Sequence, residues 1–200
     1  MLCHPGLVTF AAFPATACWQ HRGARSGFEV AYFETAAGGW RFEGTTAAVE
    51  DGQTWIVTYD IRLDADWLTR KAGIVVRAAS GTRKTELASD GAGHWQVDGH
   101  PAAHLDGCLD IDLESSAVTN TLPVHRLELA SGARAETPAA YVRALDVRTE
   151  RLEQSYARLP DQVGRQRYRY AAPAFDFACV LSYDESGLVD DYPGLAVRAG

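Results

Sequence analysis

The sequence predicts a mostly β protein, folded as a single domain around a large antiparallel sheet. Apolar residues recur at every second position in several segments, as in a strand with one buried face. In the clearest case, the odd-numbered residues from Trp55 to Leu63 are all apolar and alternate with mainly polar ones. Glycine-containing turn sequences separate these segments at short intervals, which favours hairpins over alternating strands and helices. No linker, low-complexity tract or clear repeat divides the pattern, so we predict one domain.

Predicted strands follow one another along most of the chain. They cover residues 28–35, 39–49, 55–63, 71–79, 83–89, 108–113, 124–129, 139–143, 165–171 and 175–183. Residues 116–121 are expected to form one short helical turn. The stretch 145–159 is ambiguous, because its leucines and Tyr156 would share a helix face while residues 152–158 also alternate as a strand. The Asp90–Gly93 loop lacks the Lys and Ser/Thr of a phosphate-binding loop, so we interpret it as a hairpin turn.

Composition excludes several classes of protein. The chain has 200 residues with a net charge of −7, and 46% of its residues are hydrophobic. A chain of this size buries roughly 70% of its surface on folding, which is enough for a core without disulfides or metal. No apolar run reaches the roughly 20 residues of a membrane-spanning helix. The acidic balance argues against nucleic-acid binding, which needs a basic face, and the basic aromatic segment 165–170 is interpreted as an alternating strand.

The cysteines and the N-terminus bear on location. The four cysteines include no C-x-x-C pair, so we expect free thiols in a reducing cytoplasm. We expect residues 1–17 to be a disordered leader or an over-long start, and residues 18–200 to form the domain. An apolar run at Leu7–Phe13 leaves export as an alternative, but no Lys or Arg precedes Arg22, so the positive part of a signal peptide is missing.

An unusual run of carboxylates follows residue 105. On a strand, Asp106, Cys108, Asp110 and Asp112 would point the same way, about 6–7 Å apart. Such carboxylates could bind a cation or form an acid–base pair, but solvated carboxylates, or pairing with a neighbouring Arg, explain them more simply. Cys108 could act as a nucleophile with His104 and Asp106, although a packed thiol is favoured. No H-E-x-x-H motif is present, so we assign no catalytic residue, metal or cofactor.

Several strings of the sequence, taken together and in order from about residue 19 to 198, resemble the bacterial glycolipid-binding domain family. That resemblance implies a spiral β-roll, a curled antiparallel half-barrel similar to periplasmic lipoprotein carriers, and it makes residues 152–158 a strand. The strings that carry it are Asp66-Trp67-Leu68-Thr69-Arg70, Asp90–Gly99, Leu105–Leu113, Thr119–Val124, Gln154-Ser155-Tyr156, Arg167-Tyr168-Arg169-Tyr170 and Gly187–Gly194.

The resemblance also implies non-enzymatic binding of an amphipathic ligand, a lipid or glycolipid, in the trough of the curled sheet. We expect apolar residues to line that trough, although the same residues would also suit a packed core. The candidates are Trp55, Val57, Tyr59, Leu109, Ile111, Phe175 and Phe177, with Trp67, Arg70, Trp95, Asp98 and Asn120 placed to meet a sugar head at its mouth. The alternatives are a hydrolase-like enzyme using Cys108, His104 and Asp106, or a protein-interaction domain without a small ligand.

Overall fold

The computed structural model of the protein describes residues 10–36 and 38–199. Strands make up 59% of the structure. In chain order they are β1 (Thr16–His21), β2 (Ser26–Ala36), β3 (Gly39–Glu50), β4 (Gln53–Asp64), β5 (Thr69–Ala78), β6 (Gly81–Ser89), β7 (Trp95–Val97), β8 (His100–Pro101), β9 (Asp110–Leu113), β10 (Arg134–Glu136), β11 (Ala139–Val142), β12 (Thr149–Leu152), β13 (Ser155–Gln162), β14 (Arg165–Ala172), β15 (Phe177–Tyr183), β16 (Val189–Tyr192) and β17 (Ala196–Ala199). One helix, α1 (Thr121–Leu127), and three short 3-10 turns complete the described part.

Fourteen strands form one antiparallel sheet that does not close. Their order is β10-β13-β14-β15-β16-β17-β1-β2-β3-β4-β5-β6-β7-β8. The first and last strands, β1 and β17, pair with each other in the middle of this order, with Cys18 opposite Ala199. The arrangement confirms the predicted mostly β, single-domain, curled antiparallel fold.

Apart from β10, which belongs to the main sheet, the chain between β8 and β13 packs onto the buried face of this sheet. It contains a second sheet in the order β12-β11-β9, in which β9 runs parallel to β11. Thr46 Oγ1 donates to the Ser115 carbonyl at 2.8 Å, and the backbone N–H of Thr69 donates to Leu109 at 3.2 Å. Glu29, fully buried on β2, accepts hydrogen bonds from the Ser116 hydroxyl and from the Ala117 N–H. This segment therefore covers the face of β2–β5 that was expected to form an open trough.

Two local predictions were wrong. Residues 124–129 do not form a strand; Val124 and His125 lie in α1, where both are buried. Pro123 is tolerated because it lies in the first turn of the helix, where its missing N–H has no intrahelical partner to lose. The four residues Asp106, Cys108, Asp110 and Asp112 do not share one strand face either, because β9 begins only at Asp110 and Gly107 turns the chain with a φ of 86°.

The other ambiguous segments resolve as strands or turns. Residues 145–159 contain all of β12 and the first part of β13 rather than a helix. A turn in which Val147 has a φ of 55° joins β12 to β11. Residues 118–120 form a 3-10 turn, within the short helical turn expected there.

Part of the expected leader segment packs on the domain. Residues 1–9, which include the start of the apolar run, lie outside the described residues. Phe13 lies 5.2 Å from Phe33 and 5.2 Å from His125, measured between ring centroids. Phe10 stacks obliquely on the same His125 at 4.0 Å, and β1 begins at Thr16, two residues before the expected start of the domain.

Candidate functional site

A cavity of about 270 Å³ lies between the C-terminal strands of the main sheet and the second sheet. Tyr170, Phe177 and Tyr192, from β14, β15 and β16, form one aromatic wall. Asp112 from β9 and Tyr141 from β11 lie on the second sheet and also line it. The alternation of β14–β16 explains the aromatic wall, because inward-facing residues of neighbouring strands meet on one face.

The aromatic wall is a packed cluster. Ring centroids of Tyr170 and Tyr192 are 6.0 Å apart, and Phe177 lies 6.3 Å from Tyr170 and 6.0 Å from Tyr192. These are ordinary separations for edge-to-face and tilted aromatic pairs. Phe175, which is 42% exposed, extends the aromatic surface outward, and its ring lies 5.5 Å from that of Tyr141.

Two arginines line the cavity, each held by a carboxylate or a carbonyl. Arg143 lies 3.2 Å from a Glu114 carboxylate oxygen and its guanidinium is 5.3 Å from the Phe175 ring centroid. Arg25 donates to the Glu114 carbonyl at 2.7 Å and lies 3.6 Å from the Glu50 carboxylate. The Nε atoms of Arg25 and Arg143 are buried and have no hydrogen-bond partner among the described residues. Each arginine thus keeps one N–H group without a partner among the described residues.

Asp112 lies deep in the cavity wall. Its side chain is 7% exposed, and the Thr119 hydroxyl donates to Oδ1 at 2.9 Å. Within the described ranges, no Lys or Arg forms an ion pair with it. Burial, followed by the charges of Asp110 and Glu114, raises the pKa of Asp112 from 3.8 to about 6. The carboxylate is therefore mostly ionised at neutral pH while only weakly compensated by the protein.

Asp110, two residues earlier on the same strand, provides the contrast. It accepts two hydrogen bonds from Arg126, at 2.9 and 2.6 Å, and a third from Thr137 at 3.1 Å. This bidentate geometry is the strong form of an Arg–carboxylate pair. Asp110 is therefore a structural residue that anchors β9 to α1, whereas Asp112 is left facing the cavity.

His21 and Asn120 complete the polar part of the lining. Burial, and then the positive charge of Arg25, lower the pKa of His21 to about 4, so its ring is neutral at pH 7. Its Nε2 atom is buried without a hydrogen-bond partner in the described part of the chain. Two hydrogen bonds hold Asn120 in place. Its Oδ1 accepts one from the Tyr156 hydroxyl at 2.8 Å, and its backbone carbonyl accepts one from the Tyr183 hydroxyl at 3.1 Å.

The eight residues predicted to bind ligand do not come together. Asn120 lines the cavity. Trp55, Val57 and Tyr59 lie in the core beneath the covering segment, each no more than 4% exposed. Tyr59 donates its hydroxyl to Glu29 at 2.7 Å, so its polar end already has a partner.

The four remaining candidates lie in other parts of the sheet. Trp67 stacks on His125 at 3.9 Å between ring centroids. Arg70 lies on the surface, 3.6 Å from a carboxylate oxygen of Asp64. The Trp95 indole donates to the Cys108 carbonyl at 2.8 Å, and Asp98 caps a turn by accepting the Glu86 N–H at 2.8 Å.

Two residues expected to line the trough, Phe175 and Phe177, do line the cavity. Sequence reasoning missed His21, Arg25 and Arg143, which carry no motif. Sequence signals could have identified other lining residues. Asp112 belongs to the unusual run of carboxylates, and Tyr170 and Tyr192 lie in strings that carry the family resemblance.

The residues of the hydrolase alternative also lie apart. Cys108 is fully buried, whereas His104 and Asp106 are exposed, and no hydrogen bond joins the three side chains in the described structure. Burial raises the pKa of the Cys108 thiol to about 11, so this arrangement provides no activated thiolate. Among the described residues, no group of three or more His, Cys, Asp or Glu side chains is placed to hold a metal ion.

Fold and site together define a curled antiparallel β-roll with a cavity lined by both aromatic and polar side chains. The chain belongs to the family described as "Putative glycolipid-binding", whose model matches residues 16–198. None of the described helices is both long enough and apolar enough to cross a membrane.

Solved structures share the fold of this chain. The crystal structure of a DUF1089 family protein from Pseudomonas aeruginosa is 36% identical, covers 97% of this chain and 100% of its own, and superposes with a TM-score of 0.74. A β-barrel-like protein of the DUF1849 domain of unknown function from Brucella abortus shares the fold at 12% identity, with a TM-score of 0.57 and 92% of each chain covered. A search of curated proteins found no match.

Proposed function

We propose that the protein is a non-enzymatic binding module for an amphipathic ligand of the glycolipid type, held in the cavity between β14–β16 and the second sheet. The observation that carries the proposal is that the cavity combines aromatic rings with polar groups. Aromatic rings supply apolar contact, while His21, Arg25 and Arg143 each have a side-chain nitrogen without a partner among the described residues and Asp112 has no ion-pair partner there. Pockets that combine apolar walls with a few convergent polar groups are the usual form of small-molecule sites.

The size of the cavity limits what it can hold. At about 30 Å³ for a group the size of water or a methylene, 270 Å³ accommodates roughly nine such groups. Nine methylenes would contribute roughly 7 kcal/mol at about 0.8 kcal/mol each, against an association cost of at least about 4 kcal/mol. Apolar contact alone therefore gives about millimolar affinity, and tighter binding requires the polar groups as well.

Native mass spectrometry of freshly purified protein tests the proposal. We expect a species heavier than the chain by the mass of a small amphiphile, which is lost on collisional activation. The Ala172→Leu variant should carry less of it, because three added carbons fill roughly 90 Å³ at about 30 Å³ each. Ala172 is buried and lines the cavity.

Ala178→Leu is the matched control, since Ala178 is exposed on the neighbouring strand β15 and does not line the cavity. It should retain the bound species. If the wild-type protein carries nothing and takes up no fluorescent acyl or glycolipid probe at micromolar concentration, the proposal fails and the protein-interaction alternative is favoured.

A further inference from the structure

We propose that the ligand enters the cavity head first, with a hydroxyl-bearing head group hydrogen-bonded to Asp112 and His21, and that its apolar tail leaves over Phe175. This inference rests on the proposed function and specifies which end of the amphiphile the cavity recognises. It makes Asp112 and His21 the specificity-determining residues.

The first argument is the uncompensated carboxylate. Buried carboxylates are normally paired, as Asp110 is with Arg126. Asp112 keeps one hydrogen bond, from Thr119, and faces a cavity instead of a cation. A buried charge without a partner lowers the stability of the fold, so such groups concentrate at functional sites.

The second argument is the balance of unpartnered acceptors and donors. The neutral His21 ring interacts with the backbone of Leu195, which leaves Nε2 as an acceptor without a partner among the described residues, and His21 and Asp112 line the same cavity. The Nε groups of Arg25 and Arg143 are free donors. A hydroxyl can donate to the acceptors and accept from the donors, whereas an ammonium can only donate and a carboxylate can only accept. A head with several hydroxyls matches the cavity better than a charged head.

The third argument concerns the direction of entry. Residues around Asp112 are deeply buried: Asn120, Tyr170 and Ala172 are each no more than 3% exposed. The opening lies toward Phe175, the most exposed aromatic residue of the lining. An apolar tail placed deep would leave the Asp112 carboxylate desolvated without a partner. A tail at the opening instead contacts the Phe175 and Tyr141 rings.

Isothermal titration calorimetry with three amphiphiles that each carry an eight-carbon chain tests this inference. The probes are octyl glucoside, octanoate and octylammonium, all below their micelle concentrations. We expect octyl glucoside to bind at least tenfold more tightly than either charged probe. In Asp112→Asn, which keeps the shape of the side chain, its affinity should fall about tenfold, as expected for the loss of a hydrogen bond to a charged group. Octanoate should bind that variant as well as, or better than, it binds the wild type.

Asp66→Asn is the matched control, because Asp66 is exposed and lies outside the cavity lining; its affinities should equal those of the wild type. His21→Phe gives an independent readout, since it keeps a ring of similar shape but removes the Nε2 acceptor. This variant should bind octyl glucoside at least threefold more weakly than the wild type and should bind octanoate with unchanged affinity.

The outcomes separate this inference from the proposed function. Tightest binding of octanoate, with no effect of Asp112→Asn, means that the tail enters first and overturns the inference alone. Tightest binding of octylammonium identifies a cation site and also overturns it. Failure of all three probes to bind the wild-type protein contradicts the proposed function itself, and the inference with it.

Discussion

Asp110 and Asp112 lie two residues apart on one short strand, and we expect their substitution by asparagine to change stability in opposite directions. In Asp110→Asn the buried Arg126 loses its bidentate partner. Removing one member of a buried ion pair costs about 3–5 kcal/mol. Asparagine keeps one acceptor oxygen and the Arg126 side chain is 12% exposed, so we expect a cost at the lower end of that range. At about 2–4 °C per kcal/mol for a domain of this size, the melting temperature should fall by roughly 6–12 °C.

Asp112→Asn should instead raise the free energy of unfolding at neutral pH. A pKa raised from 3.8 to about 6 means that folding disfavours the ionised side chain by roughly 3 kcal/mol. Asparagine removes that charge and still accepts from Thr119, but its amide group needs partners of its own. We therefore expect a gain of about 1–3 kcal/mol.

The pH dependence identifies the cause of this gain. Because the folded state holds the Asp112 proton more tightly, the wild-type protein loses stability as the pH rises from about 4 to about 6. The advantage of Asp112→Asn should be small near pH 4 and complete above pH 6. His21 and His125, whose pKa values are both lowered to about 4, titrate in the same window with the opposite sign, but they are common to both proteins and cancel in the difference.

Urea unfolding followed by tryptophan fluorescence, from pH 4 to pH 8, measures these differences. A loss of stability in Asp112→Asn at pH 7 equal to that in Asp110→Asn would refute the reasoning, because it would mean that Asp112 has a partner as strong as Arg126. A gain that does not depend on pH would show that the charge is not its cause.

Three further predictions concern residues outside the cavity. Between pH 6.5 and pH 4, the free energy of unfolding of His125→Phe should fall by about 3 kcal/mol less than that of the wild type. The reason is that burial holds the pKa of His125 at about 4, so protonation of this residue opposes folding. Equal acid sensitivity of the two proteins in urea titrations would contradict this. Cys108 should react with a thiol reagent only as fast as the protein unfolds, since the thiol is buried and its pKa is raised; rapid labelling in the native state would revive the enzyme alternative. Gly44→Ala should lower the free energy of unfolding by about 1–3 kcal/mol, because the added Cβ would overlap the Tyr59 hydroxyl and disturb its hydrogen bond to Glu29; thermal unfolding at wild-type temperature would show that the ring moves without cost.

The sequence predicted strands well where one face is buried and the other is exposed. The alternation at 55–63 lies within β4, and the alternation at 28–35 lies within β2, because each strand carries its buried face on every second residue. Prediction failed where both faces are buried. Residues 121–125 of α1 are all buried, so this segment shows no polar face that would reveal the helical period.

The cavity was harder to predict than the strands. The covering segment fills the space over β2–β5, which moves the open space to the C-terminal half of the sheet. His21, Asp112, Arg143 and Tyr192 are far apart in the chain and meet only because β1 pairs with β17 and β9 pairs with β11. A contact made by strand pairing over such distances leaves no local pattern in the residues themselves.

A crystal structure of the protein grown with octyl glucoside tests the central claim most directly. We expect density for the glucosyl group inside the cavity, with at least one hydroxyl within hydrogen-bond distance of the Asp112 carboxylate and the octyl chain directed over Phe175. A cavity that contains only water at ligand concentrations well above the dissociation constant measured in solution, with the amphiphile bound elsewhere, would contradict the account.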